Sequence, residues 1–528
     1  MPLSSLACLN ARRKSKFSPL LALCAIFLIF QVIAPASSSH AQGMKHLFPA
    51  LSSITINGAI QYQTIDGFGI SEAFGRANQL RTLSSVSDQK RILDLLFNSS
   101  TGAGFTIVRN LLPSDANHTI EPNNPGSPTA TPHYVWDNSS WGQVWLAQRA
   151  RSYGVKQFYI NAWSAPGFMK TNGDEANGGS LCGGPGASCG SGDWRQAYAN
   201  YLVQYIQNYQ SDGIPITHIG FVNEPDLKTS YSSMIMSPAQ AVDFAKVLGP
   251  ILRASPFHPQ MVCCDEQGWK LAPSYTNAIT SDRDSNRNVN VISSHGYTGA
   301  PNSPLTGTGQ KHIWQTEWAT SDTWNPSWDN DNKISGATSA QSTATNTASS
   351  KASGFTWAQH LYTGLTAANL SAFLYWWGLG VDTKNNGVLI RYQNNAIETS
   401  KRFWAFANYS RFVLPGAIRI GTTYDNKNLQ ITAFKNTNGS ISIVVLNTSK
   451  SDIPVTFSLQ KTGITQNSIA IPYITNTLNN TARQVPLPIQ NNIFKATVQA
   501  RSLVTYQLTT PRLAAAPIVA LTPTVAAA

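Results

Sequence analysis

The chain has 528 residues, of which 42% are hydrophobic and only 12% charged, with a net charge of +12. That length accommodates one large α/β domain with a smaller companion, and the apolar content excludes an intrinsically disordered chain. Low charge with many Asn, Thr, Ser, Gly and aromatic residues suits an extracellular protein.

The first 41 residues read as a signal peptide. Arg12, Arg13, Lys14 and Lys16 precede an apolar run over residues 19–34, and Ser39-His40-Ala41 supplies a cleavage site. The run is shorter than the ~20 residues a membrane span requires, so cleavage, a secreted product and no later membrane contact are expected. Removing residues 1–41 leaves 34 basic against 26 acidic residues, a net +8. Such a charge favours an acidic polymer only through a general field. No Lys/Arg-rich block lies beyond the leader, which argues against a nucleic-acid partner.

Of six cysteines, Cys8 and Cys24 leave with the leader. Cys182 and Cys189 flank a Gly-rich loop and, in an oxidising compartment, are expected to form a local disulfide. Cys263 and Cys264 are adjacent, and either a vicinal disulfide or two free thiols fits the sequence. No Cys/His spacing suits zinc, and neither a metal nor a cofactor is expected. Asn98, Asn117 and Asn447 open glycosylation sequons.

Residues 42–65 include a strand-like run at 52–65, expected to join a C-terminal sheet. From 66 to 412, strand-like and helical patterns alternate, the mark of a parallel α/β architecture. Strands are expected at 64–70, 104–110, 156–166, 217–225, 260–268, 289–297, 311–319 and 370–378. Helices over 87–98, 142–154, 193–213, 237–254, 356–369 and 397–412 fall between and after them. Their ends carry signals: Ser87 and Asp88 open the first, Gly154 and Gly213 stop the next two, and Asp193 is an expected N-cap. Eight such units predict a (β/α)₈ TIM barrel. Over 413–510, strands follow one another without helices, separated by turns such as Asn438-Gly439, and an attached all-β sandwich is expected. Residues 511–528 are Ala/Pro-rich and read as a disordered tail.

Barrel enzymes place their chemistry at the C-terminal ends of the strands. Glu224 ends the fourth expected strand in GFVNEP, and Glu317 ends the seventh in IWQTEW. Strands four and seven face each other across a barrel mouth. Two carboxyls there can flank a glycosidic bond, one protonating the leaving oxygen and the other attacking the sugar or activating water. Asn223 is suited to bind a sugar 2-hydroxyl. Trp163, Trp318, Trp376 and Trp377, all at strand ends, offer apolar platforms for sugar rings; Trp269 is a weaker candidate. Gly178, Gly179 and the Cys182–Cys189 loop are expected to form a rim.

The segments DGFGISEAFGRA (66–77), AWSAPGFMKTNG (162–173), GFVNEPDL (220–227), WQTEWA (314–319) and LYWWG (374–378) resemble glycoside hydrolase family 30. The resemblance implies a barrel with a β-sandwich and a retaining mechanism, with Glu224 as acid/base and Glu317 as nucleophile. The chemistry then requires Glu224 to begin protonated beside an ionised Glu317. The family pattern also puts an Arg where Arg109 stands, at the end of the second strand, able to hold Glu317 ionised. Tyr297 is placed to hydrogen-bond Glu317, and His295 lies two residues before it.

SEAFGRA followed by the Gly-rich Cys loop most resembles the xylanase branch of the family. In that branch an Arg after the first strand pairs with a glucuronic acid substituent, and Arg76 matches it. The segment after Trp376-Trp377 lacks the arginine that marks a second xylanase branch. An endo-acting β-1,4-xylanase on glucuronoxylan, working as a monomer, is therefore expected. A xylobiose-releasing exo-xylanase, a β-1,6-glucanase and a non-catalytic carbohydrate-binding protein are the alternatives.

Overall fold

The computed structural model describes residues 51–320, 323–329 and 352–509. The expected signal peptide and C-terminal tail lie outside these residues.

β1 (Ser52–Ile65) leads directly into β2 (Gly67–Ser71), the first barrel strand. The others are β3 (Ile107–Leu112), β4 (Gln157–Ala162), β5 (His218–Gly220), β6 (Gln260–Glu266), β7 (Val289–Ser294), β8 (His312–Gln315) and β9 (Ala372–Val381). Successive strands pair in parallel, and β9 pairs with both β8 and β2, closing an eight-stranded barrel. The strands are shorter than their sequence patterns, because residues such as 221–225 and 316–319 leave the ladder as loops at the barrel mouth. β6 carries a bulge against β7: Cys264 pairs with Ser293 and Glu266 with Ser294, leaving Asp265 over.

The helices are α1 (Arg76–Arg81), α2 (Val86–Phe97), α3 (Gln143–Ser152), α4 (Arg195–Ser211), α5 (Pro238–Ala254), α6 (Ala272–Ser281), α7 (Arg283–Asn288), α8 (Gly354–Thr366) and α9 (Lys401–Ser410). Asp193 is not a cap. Trp194 occupies that position, and the Asp193 carboxylate turns to Arg195, 2.6 Å from Nη2. α2 is capped by Ser85 instead of Ser87. Past β9, a hairpin of β10 (Val388–Gln393) and β11 (Ala396–Thr399) occupies residues expected to be loop and helix. Its turn is Asn394-Asn395, with φ of 52° and 58°, the pair of positive values a type I′ turn requires.

The sandwich domain comprises β12 (Ala417–Tyr424), β13 (Leu429–Lys435), β14 (Ile441–Asn447), β15 (Ile453–Gln460), β16 (Ile469–Thr475), the short β17 (Ala482–Arg483) and β18 (Leu487–Pro488), β19 (Ile493–Val498) and β20 (Leu503–Thr509). β1 lies inside it, antiparallel to β12 and parallel to β15. Its alternating Ile54 and Ile56 enter the sandwich core. Cys182 and Cys189 are joined, with Cα atoms 5.5 Å apart, and Cys263 and Cys264 are joined to each other. Asn447 is buried and its amide donates to three backbone carbonyls, so this sequon has no room for a glycan.

Candidate active site

Glu224 follows β5 and Glu317 follows β8, and the two converge across the barrel mouth. One carboxylate oxygen of each lies within 4.8 Å of the other. Both are buried, at 7% and 5% exposure, in the wall of a cavity of about 510 Å³. Glu224 adopts φ 43°, a left-handed conformation that a residue with a side chain takes only under constraint from its surroundings.

Arg109 on β3 is fully buried beneath them. Its Nη1 donates to Glu317 Oε2 at 2.6 Å, and its Nη2 to Asn223 Oδ1 at 2.6 Å and Asp265 Oδ2 at 2.9 Å. The guanidinium lies 4.4 Å from the Trp163 ring centre. Tyr297 has an exposed edge but turns its hydroxyl inward, donating to Glu317 Oε1 at 2.9 Å. Both Glu317 oxygens are therefore taken by donors. On Glu224, His295 Nδ1 lies 3.1 Å from Oε1, and Oε2 has no hydrogen-bond partner among the described residues.

Electrostatics follow from this packing. Burial opposes a charge on His295, yet the carboxyls of Glu317, Asp265 and Glu224 outweigh it and raise the imidazole to about 10. Burial likewise works against ionised Asp265, but Arg109 and His295 hold it well below the usual carboxylate range. For Glu317 burial is the largest influence and raises the carboxyl above its ordinary value. His295, Arg109 and the Tyr297 hydroxyl pull it back, while Glu224 pushes it up further. Burial, with the Glu317 and Glu224 charges, keeps Tyr297 well above its usual range, a neutral donor. Two cations, Arg109 and His295, thus face three carboxyls.

Glu224, His295 and Glu317 are also the group among the described residues whose ligand atoms could surround an ion, all within 4.8 Å. A metal there would meet Arg109 bonded to Glu317 and would compete with the proton on His295.

The cavity brings together Trp163, Trp376 and Trp377 from the expected set, with Phe74, Tyr231, Gln267 and Asn385 in addition. Trp318 does not line it; its ring packs behind, 5.2 Å from Trp357 and 4.3 Å from His360. Trp269 also points elsewhere, donating to Ser303 O at 2.9 Å. Arg76, at the start of α1, stacks 4.4 Å above Trp377 at the edge of the cleft. Gly178 and Gly179 bind the 229–236 loop and do not line the cavity.

A closed parallel barrel with two acids across its mouth and indole rings lining the cleft defines the class of O-glycosyl hydrolases. The chain belongs to glycosyl hydrolase family 30: residues 65–370 match the family's TIM-barrel domain and residues 416–506 its beta sandwich domain. Among solved structures, the catalytic domain of xylanase C from Talaromyces cellulolyticus is 38% identical with a TM-score of 0.78, covering 87% of this chain and 100% of that one. Putative glucosylceramidase 1 of Caenorhabditis elegans is 28% identical over 75% of this chain and 76% of its own. Glucuronoxylanase XynC of Bacillus subtilis (strain 168) is 22% identical over 87% and 92% respectively.

Proposed function

We propose that this chain is a secreted, retaining endo-β-1,4-xylanase acting on glucuronoxylan, with Glu317 as nucleophile and Glu224 as acid/base. The observation that carries the reading is the approach of the two carboxyls. With one oxygen of each within 4.8 Å of the other, the pair lies nearer the about 5–5.5 Å between carboxyls usual for direct attack than the about 6.5–9.5 Å that accommodates an inverting water.

The hydrogen bonds divide the roles. Glu317 accepts donors on both oxygens, which favours its ionised form. Glu224 is engaged at Oε1 only, so Oε2 is the atom left to carry the proton that the acid role requires. Glu317 attacks the anomeric carbon while Glu224 protonates the departing oxygen, leaving a glycosyl ester on Glu317. Glu224 then takes a proton from water as that water displaces Glu317, and both groups return to their starting states. Asn223 lies behind the residues that line the cavity; with its Oδ1 held by Arg109, its Nδ2 is the group left to donate to the sugar 2-hydroxyl.

The substrate reading is supported by the Talaromyces xylanase, aligned over its full length, and by the named glucuronoxylanase relative. Arg76 offers a planar fork to a uronate. Burial pushes the adjacent Glu72 carboxyl well above its usual range, which weakens its competition with a uronate for the Arg76 charge. The leader supports secretion, and among the described residues no helix is long and apolar enough to cross a membrane.

Hydrolysis of glucuronoxylan, arabinoxylan and β-1,6-glucan, with product masses measured, tests the proposal. Glucuronoxylan is expected to give a ladder of oligomers. Xylobiose alone means exo action, and intact glucuronoxylan beside degraded β-1,6-glucan overturns the substrate. Glu317→Gln should lower turnover by at least about 1000-fold. Arg76→Ala should cost about tenfold on uronate-bearing xylan and spare unbranched xylan.

A further inference from the structure

We propose that Asp265 is a positioning residue that holds both glutamates in one frame, acting through the groups that flank them and not on the substrate. The inference rests on the reading of Glu224 and Glu317 as the reacting pair.

Asp265 is 1% exposed and is absent from the lining of the cleft. Its Oδ2 accepts from Arg109 Nη2, Tyr159 OH and Asn161 Nδ2, each at 2.9 Å. Its Oδ1 accepts from Thr316 Oγ1 at 2.7 Å. Arg109 is the group that binds Glu317 and Asn223, and Thr316 is the residue immediately before Glu317. One carboxylate therefore fixes the nucleophile from two directions, through its counter-ion Arg109 and through the side chain of the preceding residue, Thr316.

The main chain of Asp265 serves the other glutamate. Its carbonyl accepts the Glu224 N–H at 2.8 Å. Asp265 has φ 54° and Glu224 φ 43°, so two residues in the left-handed region face each other and share that bond. The bulge in β6 makes this possible, because a surplus residue re-aims its side chain without shifting the rest of the strand. Gly220 is part of the same fitting: a Cβ there would collide with Asn161 Oδ1 and the Tyr159 hydroxyl, two of the side chains that reach Asp265.

A carboxylate serving only to anchor β6 would need one neighbouring partner. Asp265 instead collects donors from β3, from β4 and from the segment after β8, and gives its carbonyl to the segment after β5. Its charge matters as well as its bonds. It is the anion that balances Arg109 and His295, and without it the site carries a surplus positive charge.

The test uses the full chain on glucuronoxylan or, if that stays intact, on β-1,6-glucan. Asp265→Asn should lower kcat about 100-fold, the cost of a misplacement of about 1 Å. KM should stay within about twofold. Surplus positive charge favours loss of protons from the carboxyls, so both limbs of the pH profile should move to lower pH by about one unit. A role confined to stability would lower the amplitude of the profile without moving it, and that result overturns the proposal.

If Asp265→Asn does not fold, Thr316→Val decides. That variant removes one donor from a buried carboxylate, so some stability is lost, but kcat measured well below the thermal midpoint should still fall several-fold; an unchanged kcat overturns the proposal. Glu317→Gln is run alongside. Should it retain turnover, the reading of the reacting pair fails. Should it be inactive while the Asp265 and Thr316 variants behave as wild type, the positioning role alone fails.

Discussion

Arg109 organises the residues that matter most. It bonds to Glu317, Asn223 and Asp265 at once, inside a cluster where burial raises the Glu317 carboxyl. Activity that needs an ionised Glu317 is lost as pH falls through the Glu317 pKa, and the acid limb of kcat/KM should be raised from where an ordinary glutamate would put it. Arg109 is one of the groups holding that limb down. Arg109→Gln removes the cation, so the limb should move up by about one pH unit or more. Arg109→Lys keeps the charge but loses the fork, so kcat should fall while the limb moves much less. A pH–rate profile of both variants checks this, and a limb unmoved in Arg109→Gln would contradict it. The pair Glu224 and Glu317, with Arg109 and Tyr297, was legible because each sits in a short motif at a strand end. Asp265 was not. Nothing in CCDEQG tells which of two consecutive acids a bulge will turn into the barrel. Tyr231 and Phe74 were missed for a related reason: they reach the cleft from loops, where no periodicity assigns a face.

Elements with strong local signals were legible and those shaped by tertiary contacts were not. α5 begins with Ser237 as its cap followed by Pro238, a strong local start signal, and the cap is reciprocal. Ser237 Oγ accepts from Gln240 N at 3.3 Å, and Gln240 Oε1 accepts from Ser237 N at 2.7 Å. The Gln240 side chain also donates to Pro185 O at 3.0 Å, inside the Cys182–Cys189 loop. The cap therefore ties a disulfide-closed loop to a barrel helix. Ser237→Ala should cost about 1 kcal/mol of stability, the usual worth of such a cap, with kcat unchanged because the box is remote from the glutamates. Thermal unfolding and initial rates measure the two separately. By contrast α6 and α7 went unread, since residues 272–288 have no leucine-type repeat and a helix is broken and restarted at Asp282, whose carboxylate caps α7. The β10–β11 hairpin was hidden too: its Asn394-Asn395 turn is a weaker signal than the Asn-Gly turn at 438–439.

At the scale of the whole molecule, the sequence indicates two domains, but the packing joins them into one body. β1 belongs to the sandwich sheet and runs straight into the first barrel strand. The apolar core of the barrel continues into sandwich residues Phe434, Val444, Leu446 and Leu503. Between them stands α9, whose Asn408 is fully buried. Its Nδ2 donates to Tyr473 O and to Thr505 Oγ1, each at 3.0 Å, and its Oδ1 accepts from Thr475 Oγ1 at 2.5 Å. One amide thus satisfies groups on β16 and β20 from a barrel helix. Asn408→Ala leaves those groups buried without their partner, which should cost about 2–3 kcal/mol. With barrel and sandwich coupled, calorimetry should give a single transition lowered by a few degrees, not a separate early melting of the sandwich. Rates well below the transition should match wild type, because Asn408 is remote from Glu224 and Glu317. Two resolved transitions, with only one displaced, would mean that the shared core does not make the domains unfold together.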